Sequence, residues 1–190
     1  MKQNLRIAVL MTLVTTVVFG LLYPLAVTGL GQLLFPSQAS GGFVVSGGQI
    51  VGSHLLGQPF SSAGYFHSRP SAAGNGYDAT SSAGSNLGPT NHQLVERVKS
   101  DVERLHAENA SAAIPVDLVT TSGSGLDPDI SPAGAEFQVP RVARERGMNE
   151  AEVRALVAKH TLGRQFGVLG EPRVNVLEMN LDLDATHPKR

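Results

Sequence analysis

From Ile7 to Phe35 the chain is apolar at nearly every position, broken only by threonines, glycines, Gln32 and Tyr23. Val9, Leu10, Leu13, Val14, Val17, Val18, Leu21 and Leu22 leave no polar face, as contact with lipid on all sides requires. At about 1.5 Å per residue, roughly 20 helical residues cross a bilayer core, so this run is long enough for one span. Tyr23-Pro24 late in the run predicts a bend. Gly20, Gly29 and Gly31, whose spacing is not GxxxG, read either as smooth patches for a neighbouring helix or as ordinary glycines of a membrane helix. A cleaved signal peptide is the competing reading, with Lys2 and Arg6 as its basic start and Ser37-Gln38-Ala39 as the cleavage site. Signal cores run to about 7–15 residues, and a run roughly twice as long favours a retained helix.

Beyond the span the periodicity changes. Phe43-Val44-Val45-Ser46 and Gln49-Ile50-Val51 read as two strands around Gly47-Gly48, whose lack of a Cβ suits a tight turn of positive φ. From Gly64 to Asn91 the chain is rich in Gly, Ser, Ala and Asn, a composition shared with flexible linkers. Tyr65, Phe66, Arg69, Pro70, Tyr77 and Asn86 interrupt it with residues that pack or bond, which points to an ordered loop. Thr90 and Gln93 have capping-box spacing, and Leu94, Val98, Val102 and Leu105 repeat at helical intervals towards an end near Asn109. Val116 to Thr120 has the branched content of a strand. Ser131-Pro132 predicts a helix start, with Pro140 interrupting the helix. Asn149 and Glu152 cap another helix, with Val153, Leu156 and Val157 as its buried stripe. Arg173 to Asp184 reads as a strand through Val174, Val176, Met179, Leu181 and Leu183, its phase slipping at Leu177. The fold class is α+β: one transmembrane helix, then one small domain with a small sheet and several helices.

Composition and charge add topology. The chain has 190 residues, formal net charge −1, and neither cysteine nor tryptophan. After Arg6 no Lys, Arg, Asp or Glu occurs until Arg69. The 15 basic residues less Lys2 and Arg6 leave 13 against 16 acidic ones, a net of −3 beyond the span. Basic residues before the helix and none soon after it place residues 1–6 in the cytoplasm, 7–35 in the membrane and 36–190 outside. Without cysteine there is no disulfide, thiolate metal site or cysteine nucleophile. The charge balance gives no basic field for nucleic acid.

Candidate chemistry is sparse. Val45-Ser46-Gly47-Gly48-Gln49 echoes the signature of ABC-type ATPases, yet branched neighbours favour a hairpin, and the chain has no GxxxxGK[ST] phosphate loop. Thr121-Ser122-Gly123-Ser124-Gly125 departs from the GxSxG elbow at its first glycine and reads as a turn. His54, His67, His92, His106, His160 and His187 form no HxH or HxxxH pair, so no metal ligands are assigned. Asp182 and Asp184 share one face of the expected strand, and Asp127 and Asp129 flank a proline; neither pair makes an obvious acid/base dyad. Catalytic and metal residues are therefore assigned as none, and cofactor-binding residues as unknown. Arg69, Asn86 and Asp127 need specific partners, which predicts that the loops Tyr65–Asn91 and Thr120–Pro132 form one connected region.

Several blocks stand out as a set: Tyr65-Phe66-His67-Ser68-Arg69-Pro70-Ser71-Ala72, Gly84-Ser85-Asn86-Leu87-Gly88-Pro89, and TTSGSGLDPDISP from Thr120 to Pro132. Gln138-Val139-Pro140-Arg141-Val142-Ala143, Gly170-Glu171-Pro172-Arg173-Val174-Asn175-Val176, Tyr23-Pro24-Leu25 and Gly31-Gln32 belong to it too. Taken together, these blocks resemble the C chain of the Kdp-type potassium-transporting ATPase. The resemblance implies a single-span accessory subunit in a bacterial inner-membrane complex for high-affinity potassium import. Its implied partners are a channel-like potassium subunit, a P-type ATP-hydrolysing subunit and a very small membrane helix. It also implies a chaperone-like role that raises the ATP affinity of the hydrolysing subunit. The chain would carry no cofactor of its own, ATP belonging to the complex. An anchored extracytoplasmic hydrolase is the alternative from another class.

Overall fold

The computed structural model describes residues 1–187, which divide into two compact units, one spanning Met1–Phe43 and the other beginning at Val44.

In the first unit, helix α1 (Lys2–Val17) continues through one π-helical turn (Val18–Leu22) into α2 (Tyr23–Leu34). Within this run of 33 residues an 18-residue stretch has a mean hydropathy of 2.2 and none of it is buried, so the run is a candidate transmembrane helix by length and composition. The helix continues through Tyr23-Pro24 with a π-turn just before it, where Tyr23 N–H donates to Val18 O. Proline has no N–H and crowds the carbonyl four residues earlier, and a wide turn relieves that crowding. A one-turn helix, α3 (Pro36–Ala39), follows.

The expected hairpin follows, β1 (Phe43–Ser46) and β2 (Gln49–Ser53), paired in a two-stranded sheet. Gly47 and Gly48 have φ of +58° and +81°, the left-handed values that a tight primed turn demands. After a long irregular stretch comes α4 (His92–Glu108), capped by the Asn91 side chain, which accepts from Gln93 N; the cap is one residue later than Thr90. β3 (Asp129–Ile130), absent from the sequence reading, pairs antiparallel with β5 (Arg173–Asn175), which also pairs with β4 (Thr161–Leu162). Helix α5 (Pro132–Arg146) starts at a Ser131 cap, and α6 (Glu150–His160) at the predicted Asn149/Glu152 capping box. Helix α7 (Val176–Thr186) closes the described chain.

Three expectations are corrected. Helix α5 is not interrupted at Pro140. An internal proline costs about 3 kcal/mol. Phe137, Val139 and Val142 are buried around it, each contributing about 1.5–3 kcal/mol, which offsets that loss. Glu136, whose carbonyl loses its partner, is exposed. The segment from Arg173 to Asp184 is a strand only as far as Asn175, whose side chain accepts from Glu178 N and starts α7. Val176, Met179, Asn180 and Leu183 are its buried side, a helical spacing of 3, 1 and 3 residues that the alternating reading overrode. The segment Val116–Leu118 is a 3-10 turn, not a strand. It drops Leu118 into the core and aims Asp117 at the start of α5, where the carboxylate accepts from Ser131 N (2.7 Å) and Ser131 Oγ (3.0 Å).

The main core gathers Phe66, Ile130, Val139, Val142, Val153, Val174, Met179 and Leu183 from α5, α6, α7, the three-stranded sheet and one loop. A smaller cluster of Leu105, Leu118, Val119 and Phe137 seats α4. The helices thus form a rigid floor for the long loops.

Candidate functional site

Those loops are ordered by side chains rather than by pairing with strands. Asn180 on α7 accepts from Phe66 N and donates to Phe66 O, both at 2.9 Å. Gln138 on α5 does the same for the next residue, accepting from His67 N (2.8 Å) and donating to His67 O (3.1 Å). Two carboxamides thereby satisfy four backbone groups that would be costly to leave bare. Beside them Arg141, 7% exposed, donates from Nε to Glu108 Oε1 (2.8 Å), from Nη1 to the carbonyls of Ala63 and Tyr65, and from Nη2 to Gln138 Oε1 (2.6 Å). A planar five-donor fork fits this site as an ammonium would not.

A second clasp joins the two loops that were expected to meet. Arg69 donates to Asp127 Oδ2 (2.9 Å), Thr120 O (3.2 Å) and Thr120 Oγ1 (3.2 Å), and Tyr77 Oη donates to Arg69 O. Ser71 Oγ donates to Gly125 O at 2.5 Å. Gly125 has φ +68°, and a Cβ there would lie 2.6 Å from both Ala73 N and Ala83 O, so only glycine permits the approach. Asn86 takes a left-handed φ of +52°, which its side-chain type tolerates.

At the far end Tyr65 Oη donates to Asp184 Oδ2 (2.7 Å), and Arg146, paired with Asp184 at 2.7 Å, lies 4.8 Å over the Tyr65 ring. The hydrogen bond to Asp184 and then burial hold the Tyr65 hydroxyl above its ordinary pKa. Asp184 thus belongs to the loop clamp, and Asp182 bonds Lys159 (2.6 Å) and His160 (2.8 Å), contacts that lower its pKa. The two aspartates sit on helix α7, not on the shared strand face expected for them.

Between loop and α4 runs a groove of about 230 Å³, lined by Phe60, His67, Arg69, Tyr77, Asp101 and Arg104 among others. Burial, then the nearby Arg141 charge, lowers the His67 pKa and keeps the ring neutral at pH 7. Arg69 is paired with Asp127 and Arg104 with Asp101, so the wall is aromatic and hydrogen-bonding rather than openly cationic.

The remaining sequence candidates fall elsewhere. The Ser46-Gly47-Gly48 segment leads into a strand, so it lacks the helix N-terminus through which such a motif meets phosphate. Ser122 Oγ and Ser124 Oγ lie 3.4 Å apart, and Ser124 Oγ accepts from Leu126 N, a turn-forming bond. His54 pairs with Glu178. Asp129 pairs with Arg173 at 2.8 Å, and burial raises its pKa. Among the described residues no group of three or more His, Cys, Asp or Glu side chains is placed to hold a metal ion. Gln138, Arg141, Asn180 and Asp117 were not singled out from the sequence as clamps. Their signal was a polar residue set inside an otherwise apolar helical stripe or a capping position.

A family model described as "K+-transporting ATPase, c chain" matches residues 5–185. The chain belongs to this family. A potassium-transporting ATPase KdpC subunit of Koribacter versatilis is 63% identical over 188 residues, covering 99% of this chain and 97% of the relative. The KdpC subunit of Acidobacterium capsulatum is 60% identical across 97% of this chain and 100% of its own. That of Rhodopseudomonas palustris strain BisB18 is 54% identical across 97% and 99%. The resemblance read from the loop blocks is thereby established over nearly the whole chain, and the protein is a subunit of a potassium-transporting ATPase. In this c chain the quoted blocks include the clamped loops and the part of α5 that clamps them, with two further blocks in α2 and one running into β5.

Proposed function

We propose that this c chain is a non-catalytic accessory subunit, held by one helix in a bacterial inner membrane with its N-terminus cytoplasmic and its domain outside. Its role is to assemble and couple a channel-like potassium subunit, a P-type ATP-hydrolysing subunit and a small membrane helix. The observation that carries this reading is where its reactive-looking side chains are spent. Arg69, Asp127, Gln138, Arg141 and Asn180 bond other parts of the same chain and make long loops rigid. Rigid loops suit docking, because little further ordering entropy is lost on binding. In this reading the chain holds no cofactor of its own and raises the ATP affinity of the hydrolysing subunit within the complex. The positive-inside pattern of Lys2 and Arg6 supports this topology.

Reconstitution of the ATPase with and without the chain tests the proposal. Potassium-stimulated ATP turnover is expected to collapse without it, and the isolated chain to hydrolyse no ATP. Full stimulated turnover in its absence refutes the accessory role.

A further inference from the structure

Between β4 and β5 the chain makes a second loop of a different kind. Residues 162–171 are exposed without interruption. At its tip Phe166 and Gly167 have φ of +53° and +77°, and Val168 N donates to Gln165 O at 3.1 Å, as in a primed hairpin turn. Gln165 and Leu169 exchange two backbone hydrogen bonds of 2.9 Å below the tip. At the base Arg164 Nη2 reaches both Glu171 carboxylate oxygens, at 2.8 and 2.6 Å. The loop is therefore shaped, yet its apolar side chains touch little: Phe166 is 93%, Val168 71% and Leu169 56% exposed. Asn or Gly is the residue that such a left-handed turn position favours, and a bulky one there carries strain of order 1–3 kcal/mol. Here a phenylalanine accepts that strain while it stays 93% exposed.

We infer that this loop is an apolar anchor that inserts into an uncharged hydrophobic pocket on another subunit of the same ATPase. The inference rests on the accessory-subunit reading and adds where the chain docks. Two arguments choose this occupant. Charge is the first. Both basic residues of the loop and its return strand are neutralised, Arg164 by Glu171 and Arg173 by Asp129, so nothing is left to attract an anionic lipid surface. Area is the second. Phe166 offers on the order of 200 Å² and the whole tip roughly 400–500 Å², against about 800 Å² per partner in a stable free-standing interface. That is too little for a dimer of this chain but enough for one hot-spot anchor between subunits already confined to one membrane, where effective concentration is high.

The test uses the full chain in cells that express the complete ATPase. With p-benzoylphenylalanine at position 166, illumination of intact membranes is expected to link the chain to one other ATPase subunit. Links to lipid alone, to a second copy of the chain, or to nothing overturn the inference. In parallel, Phe166→Asn suits the left-handed turn and should leave the melting temperature of the chain unchanged or higher. It should nevertheless weaken recovery of partner subunits in mild detergent by about tenfold to a hundredfold, with Phe166→Tyr close to wild type. Undiminished recovery with Phe166→Asn overturns the anchor while wild-type recovery keeps the accessory reading. If the wild-type chain recovers no ATPase subunit, the accessory reading itself fails.

Discussion

Two glycine-rich loops of the second unit have opposite fates. The segment from Gly64 to Asn91 and the turn from Gly163 to Gly170 are both rich in glycine and free of regular pairing beyond a few bonds. The first lies under polar hooks from α5 and α7, and its Phe66 is wholly buried. The second has no such hooks on its tip, and its Phe166 is 93% exposed. The difference teaches that loop order is decided by the facing elements. A carboxamide or guanidinium at the right helical position turns a linker-like sequence into part of the core. Where none faces the loop, an aromatic residue is left for a partner.

The comparison breaks most severely at Arg141. Replacing it with alanine strands Glu108 and two loop carbonyls in a nearly dry site, at a cost of about 3–5 kcal/mol. Urea unfolding of the full chain in mild detergent should show that loss, and a change below about 1 kcal/mol would mean the loop is held by packing alone. Next comes Asn180→Leu, which keeps the volume and removes both bonds to Phe66, with an expected loss of about 1–3 kcal/mol. Hydrogen exchange should quicken at Phe66 and His67 far more than at Gln165.

A pH dependence is the third check. His67 is held neutral by burial and Arg141, so its folded pKa lies below its ordinary value of 6.5. In that interval the unfolded chain binds more protons, and stability rises with pH. The contribution of His67 is present above pH 6.5 and is lost as pH falls through its lowered folded value. Melting temperature measured from pH 7.5 down to 5 should fall less steeply in His67→Gln. A parallel decline in both chains would assign the acid sensitivity elsewhere. The smallest effect belongs to the exposed loop: Val168→Ser should change stability by no more than about 0.5 kcal/mol. A larger loss would show that the tip is packed in the isolated chain, and the contrast between the loops would disappear.

What could be read from the sequence divides along the same line. Local rules found the hairpin at Gly47-Gly48, the Ser131 and Asn149 caps, and the apolar run of the first helix, since each is decided within a few residues. They failed where a distant partner decides. Val174 to Leu183 looked alternating because β5 and α7 are consecutive, both buried, and share no turn between them. Asn175, three residues before Glu178, carried the helix-start signal that would have corrected it. Val116 to Thr120 has strand-like residues, but Asp117 is drawn to Ser131 and the backbone tightens instead. The need of Arg69 and Asp127 for partners was legible, but the clamps from α5 and α7 were not: Gln138 lies 71 residues from His67, and Asn180 lies 114 from Phe66. The resemblance of whole blocks flagged Arg69, Gln138 and Arg141 without saying what they bond.

That last separation has a consequence for how the chain is made. At about 5–20 residues per second, Asn180 is synthesised on the order of 10 s after Phe66. Throughout that interval the backbone of Phe66 lacks its clasp from α7, while Asp127 and Gln138 are already in place to hold Arg69 and His67 beside it. Only a polypeptide made through α7 can close the loop at Phe66, so the finished loop certifies that translation reached that helix. A chain cut short before Asn180 carries the anchor but not the finished surface, and would be left out of the pump.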